Sequence, residues 1–259
     1  MIEGFVGQLP DGPLWVPLVV VFVGSALQVA TGVGLGLIAA PAILLVLDGP
    51  SAIQVAIILN LTLSALLLPF EFRQVATNRL FTICRWAIVG VPLGGLVLMA
   101  VGDTSLKLLC GVVVLASLVQ LRYFPLPVVE DAGSQRWLNR IGGVVSGGMT
   151  SALAAPGPVA LWALLSAGLD VVVVRATLRA YFLFAYVVAF VANLALFGSS
   201  GSVWMMALLL LPAVFAGIGA GVVGRRYLAA SVMRATLEMG LLIMGIAMLV
   251  KGVSDAGGF

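Results

Sequence analysis

The chain has 259 residues, 62% of them hydrophobic and 9% charged, with 13 basic and 10 acidic side chains and no histidine. A soluble domain carries roughly 25% charged residues, so this composition excludes a water-borne globule and makes lipid the natural solvent. Without histidine there is no imidazole metal site, no Ser-His nucleophile and no histidine proton relay. The scattered basic residues also lack the clustered face that nucleic acid requires.

Glu3 and Asp11 precede the first apolar run. A secretory signal opens on a positive region, so the first segment is expected to stay in the membrane. Apolar segments follow at Leu14–Thr31, Gly34–Leu47, Ala52–Pro69, Phe81–Val101 and Ser105–Leu121. They resume at Leu138–Leu153, Pro158–Gly168, Val172–Phe197, Val203–Val223 and Thr236–Val250. A helical crossing takes about 20 residues, and most segments reach or approach that. The fold class is all-α and polytopic, one integral membrane domain over 1–259, with repeats at about 14–122 and 138–252. Cys84 and Cys110 lie inside apolar segments and read as small buried hydrophobes.

Two regions are too short for two crossings and carry helix breakers. Leu14–Leu47 contains Gly32-Val33-Gly34-Leu35-Gly36 and then Pro41; Leu138–Gly168 contains Gly147-Gly148 and then Pro156-Gly157-Pro158. Glycine costs roughly 1 kcal/mol and proline about 3 in a helix interior. Each region is predicted to form two short helices joined by unwound backbone, crossing twice or dipping in and returning. Setting Pro41 against Pro158 aligns Gly24–Leu63 with Ile141–Ala180 and reads as an internal repeat, with Asn60 opposite Thr177.

Charge adds an orientation. With Arg73, Arg79 and Arg85 in the cytoplasm, alternation puts Arg122, Arg136, Arg140, Arg175, Arg179, Arg225, Arg226 and Arg234 there too, leaving Lys107 and Lys251 outside. Both termini then lie outside and the two repeats have opposite orientation. Inverted repeats with broken helices at matching places mark a transporter with a site near the midplane.

Three motifs could carry chemistry. In Gln28-Val-Ala-Thr31-Gly32-Val-Gly34-Leu-Gly36, an unwound backbone offers N–H groups and a helix dipole to an anion; the same glycines also suit close helix packing. Thr150 to Pro158 ends in two prolines one residue apart, whose freed carbonyls need protein or water as partners. Arg175 and Arg179 share a helix face, and an intramembrane charge is a functional candidate unless it snorkels to the interface. Arg175 is the expected site residue and Arg179 the expected interface anchor. Asn60 either lines the site or bonds a neighbouring helix. Glu71, Glu238 and Asp48 fall near segment ends, where solvation or pairing is expected, so no acid stands out as a proton carrier.

The Gly32–Gly36 run closing on Pro41, repeated as Gly147–Pro158 and followed by Arg175-Ala-Thr177, resembles the sulfite exporter family of the TauE/SafE type. The resemblance implies a bacterial inner-membrane permease for sulfite, sulfonates or related small organic anions; no cofactor is expected. The anion would sit between the two breaks on backbone N–H groups near Gly32, Gly34, Gly36, Pro156, Gly157 and Pro158. Thr31, Asn60 and Thr177 would supply hydrogen bonds and Arg175 the counter-charge, with one half rocking against the other. The partners expected are the small anion and the bilayer; monomer and homo-oligomer both stay open. A membrane-embedded enzyme would need a reactive constellation that the sequence lacks. A non-transporting accessory protein would explain the apolar helices but not the paired breaks.

Overall fold

A computed structural model describes residues 14–123 and 131–257, with ten α-helices, a 3-10 turn and no strand among them. The first five helices are α1 (Trp15–Thr31), α2 (Leu35–Leu44), α3 (Gly49–Glu71), α4 (Thr77–Ala100) and α5 (Asp103–Tyr123). The second five are α6 (Ala132–Leu153), α7 (Gly157–Leu165), α8 (Val171–Phe197), α9 (Gly201–Tyr227) and α10 (Ala230–Gly257). Six of them, α3 to α5 and α8 to α10, are long and apolar enough to cross a membrane. Outward-facing Ile88, Leu93, Leu208, Phe215 and Ile246 are exposed, as side chains that meet lipid would be.

Local chemistry sets the helix ends. Asp48 accepts from the Ser51 amide and Pro50 occupies the first turn, opening α3. Asp131 accepts from the Ser134 amide in the same way and starts α6 at Ala132, six residues before the expected Leu138. Both are side-chain N-caps, and the second draws Arg136 and Arg140 into a helix.

The two halves repeat one pattern: a helix, a break, a short helix, then three long helices. The register differs from the expected one. Leu35 corresponds to Gly157 and Gly49 to Val171, five positions away from a pairing of Pro41 with Pro158. Pro158 lies in the first turn of α7, where a missing N–H costs nothing, whereas Pro41 is inside α2. The prolines are not equivalent, and the partner of Asn60 is Phe182 rather than Thr177. The first broken region is two short helices, as expected, of 17 and 10 residues, whereas the second pairs the 22-residue α6 with the 9-residue α7.

Gly147 and Gly148 do not break α6. They lie on α4, where a Cβ at Gly147 would come within 2.7 Å of the Ala87 carbonyl. Gly90 and Gly94 answer from α4, with room for a Cβ blocked by the carbonyls of Val144 and Gly148. Gly217 and Gly221 of α9 lie in the same manner against Phe22 and Ala26 of α1. These small-residue seams bring helix backbones into contact, and each joins one half of the chain to the other.

Charges collect at the ends of the bundle. Lys107 of α5 meets Asp255 of α10, which also pairs with Lys251. At the opposite ends of the same two helices, Arg122 and Arg234 share Glu238. Arg85 and Arg140 both lie 5.6 Å from the Trp86 ring. Cys84 and Cys110 are buried and unbonded.

Candidate functional site

The first break follows from two residues. Gly32 adopts φ 90°, a left-handed cap open to glycine, and donates its amide to the Gln28 carbonyl. Thr31 secures the turn from within: its hydroxyl donates to the carbonyls of Leu27 and Val33 and accepts from the Val33 amide. The Gln28 carboxamide oxygen then accepts from the Leu35 amide at 2.9 Å, capping the start of α2. In the second break Ala154 takes φ 52°, an uncommon conformation for a residue with a Cβ. Ala155 and Pro156 follow, and α7 begins at Gly157.

The two breaks meet. A Cβ on Gly36 would lie 2.6 Å from the Ala154 carbonyl and 2.8 Å from the Tyr186 hydroxyl, and one on Gly157 would lie 3.0 Å from Val33. Between them is a cavity of about 10 Å³, lined in part by Gln28, Gly34, Gly36, Pro156, Gly157 and Tyr186. That is room for about one water molecule. Tyr186 donates to the Ala154 carbonyl at 3.1 Å. Asn60, midway along α3 and fully buried, donates to Ala56 and points its carboxamide oxygen toward Gly36. Neither that oxygen nor the Gln28 amide nitrogen has a hydrogen-bond partner among the described residues. Buried polar atoms without partners cost about 1–3 kcal/mol each and mark a place where a ligand or water is due.

Of the residues expected at the site, Gly34, Gly36, Asn60, Pro156 and Gly157 come together here. Gly32 and Thr31 shape the first break from its far side, and the Thr31 hydroxyl is spent on its own turn. Pro158 turns its carbonyl to Gln120. Thr177 is buried at a different place, donating to Val173 and accepting from the Ala76 amide at the start of α4. Tyr186, Phe182 and Gln28 complete the lining.

The arginines differ from expectation. Arg179, expected at the interface, is 2% exposed. Its Nη1 lies 2.5 Å from Glu71 Oε1 and its Nη2 donates to the Val29 carbonyl at 2.9 Å. Val29 is one of the last residues of α1, so the guanidinium satisfies an orphan carbonyl at the negative end of that helix. Arg175 lays its side chain along Gly32, within 3.1 Å of where a Cβ would stand, with Nε 3.6 Å from Glu71 Oε1. Arg225 of α9 approaches the same oxygen at 3.9 Å. Glu71 is thus paired, one of the two outcomes expected for it, and is the centre of a three-arginine cluster beside the first break.

Six long apolar helices, with two interrupted helix pairs meeting among them, give the build of a multi-pass membrane protein. Residues 17–248 match the family model described as Sulfite exporter TauE/SafE, nearly the whole chain, and the protein belongs to that family. It is a family of membrane permeases for sulfur-containing anions. No curated protein and no solved structure matches the chain.

Proposed function

We propose that this protein carries sulfite, an organic sulfonate or a related small oxyanion across the bacterial inner membrane, by alternating access to a site between the two helix breaks. The observation that carries the reading is the meeting of two broken regions midway along α3 and α8, with two unpartnered polar atoms, Asn60 Oδ1 and Gln28 Nε2, buried there. Gly34, Gly36, Pro156 and Gly157 would give the anion unwound backbone, Asn60 and the Gln28 amide hydrogen bonds, and Arg175 a positive field.

The chain acts as one membrane domain built of two inverted repeats. The α6–α7 pair returns on itself, with the Gln135 amide near the start of one donating to the Ala163 carbonyl near the end of the other. Together with α1 and α2 they form two re-entrant hairpins, entering from opposite faces. The arginines gather at one end of the bundle and the lysines at the other, which by the positive-inside asymmetry sets the arginine end in the cytoplasm and both termini outside. The cavity has room for about one water, so anion entry requires the hairpins to part.

The test is flux in proteoliposomes against a panel of sulfite, methanesulfonate, acetate and chloride. Sulfite or sulfonate is expected to move and to protect the purified protein from heat, by roughly 2.7 kcal/mol at a hundredfold excess over its Kd. Neither flux nor protection with any anion would refute the proposal.

A further inference from the structure

Three guanidiniums converge on a single oxygen of Glu71, and the fit is incomplete. Arg179, Arg175 and Arg225 lie 2.5, 3.6 and 3.9 Å from Oε1. Glu71 Oε2 is buried with no hydrogen-bond partner among the described residues, and so are the Nε donors of Arg175 and Arg179. The cluster holds three positive charges against one negative, and donors are left over that one planar carboxylate does not reach. The Arg179 side chain is 3% exposed, that of Glu71 12%, while Arg225 at 44% faces outward. One wall of the cluster is therefore open.

We infer that Arg175, Arg179 and Arg225 form a second anion station, on the arginine side of the helix breaks, which Glu71 occupies as a tethered substitute for the transported anion. The inference rests on the anion-permease reading and adds the entry step to it. A pyramidal sulfite or the head of a sulfonate presents three oxygens at the corners of a triangle, one for each guanidinium. Arg–oxyanion pairing is charge-assisted and often two-pronged, so such an anion would engage the Nε donors that Glu71 leaves without a hydrogen bond. An incoming anion has to displace the Glu71 carboxylate, and a weakly competing ion does not open the station. The geometry favours three-oxygen anions over monocarboxylates. The consequence reaches the first break directly, because Arg175 lies on Gly32 and Arg179 holds the Val29 carbonyl.

The experiment measures sulfite, methanesulfonate and acetate binding to the full chain in detergent by calorimetry, beside proteoliposome flux. Glu71→Gln keeps the shape and removes the competitor, and should tighten sulfite at least tenfold while moving acetate less. Glu238→Gln is the control for the loss of any negative charge at this end of the bundle, since Glu238 pairs only with Arg122 and Arg234 among the described residues; it should change sulfite binding less than twofold. Unchanged or weaker sulfite binding in Glu71→Gln, or equal tightening in both variants, overturns the station. Should Glu71→Gln fail to fold, Arg225→Gln decides: this half-exposed residue can be replaced without uncovering the core, and about tenfold weaker sulfite binding supports the inference while unchanged binding overturns it. If wild type neither binds nor transports any anion, the permease reading fails. If wild type transports and Glu71→Gln binds no tighter, the station alone fails.

Discussion

The Arg179 guanidinium reaches from α8 to the Val29 carbonyl at the end of α1, at 2.9 Å. With its other arm on Glu71, this one side chain joins three helices, α1, α3 and α8, at the edge of the first break. Removing it takes the partner from the Val29 carbonyl and leaves Glu71 only the longer contacts to Arg175 and Arg225. Breaking a buried pair from one side costs about 3–5 kcal/mol, so Arg179→Gln should lower the melting temperature strongly. Arg175→Gln, whose partner keeps Arg179, should lower it much less. Equal melting of the two variants would mean that Arg179 is better solvated than its 3% side-chain exposure indicates.

Arg175 should matter for transport rather than stability. Loss of a charge-assisted bond costs about 1.5–3 kcal/mol, so Arg175→Gln should weaken anion affinity roughly ten- to a hundredfold. Arg175→Lys should rescue in part, because an ammonium cannot grip in two-pronged fashion. Initial flux rates against anion concentration, at matched protein density, give the answer; normal transport by Arg175→Gln would remove it from the site.

Glycine 36 separates packing from propensity. Alanine favours a helix over glycine by about 1 kcal/mol, yet at this position its methyl would press on the Ala154 carbonyl and the Tyr186 hydroxyl. Gly36→Ala should abolish flux and reduce folded yield. Gly219→Ala, on a face of α9 with nothing within 4 Å, should raise stability by up to about 1 kcal/mol and leave flux intact. Melting curves and flux of the two variants, measured together, test both.

Orientation can be read with single cysteines in a chain whose Cys84 and Cys110 have been replaced by alanine. Gly102, exposed between α4 and α5, and Asn78, exposed at the start of α4, lie at opposite ends of a long helix. Gly102→Cys should react with an impermeant maleimide added to intact cells, and Asn78→Cys only after permeabilisation. The reverse pattern would place the arginine end outside.

The helices were largely legible because apolar length in lipid leaves a chain few alternatives. The breaks were legible where glycine and proline announce them, at Gly32–Gly34 and Pro156–Gly157. The left-handed turn at Ala154 was not, since alanine carries no such signal. The repeat register slipped because Pro41 and Pro158 are the most visible landmarks and occupy different helical positions. Pairing was expected of Glu71, but its partners were not legible: Arg175, Arg179 and Arg225 lie more than a hundred residues away in sequence, and no local pattern encodes that encounter. Burial likewise moved Arg179 from the expected interface to the interior, a difference from Arg175 that spacing on one helical face does not show.

The glycine seams give the chain an interlaced anatomy. Helix α4 of the first half is seated on α6 of the second, and α9 of the second on α1 of the first, with backbones touching backbones. Surfaces that close separate only by giving up a whole row of dispersion contacts at once, so each seam travels as a unit. A moving body that keeps both seams intact would draw helices from both halves of the chain, with hinges that cut through each half instead of along the boundary between them. A chain severed at that boundary would yield two fragments, each carrying half of every seam and recognising the other as its missing surface.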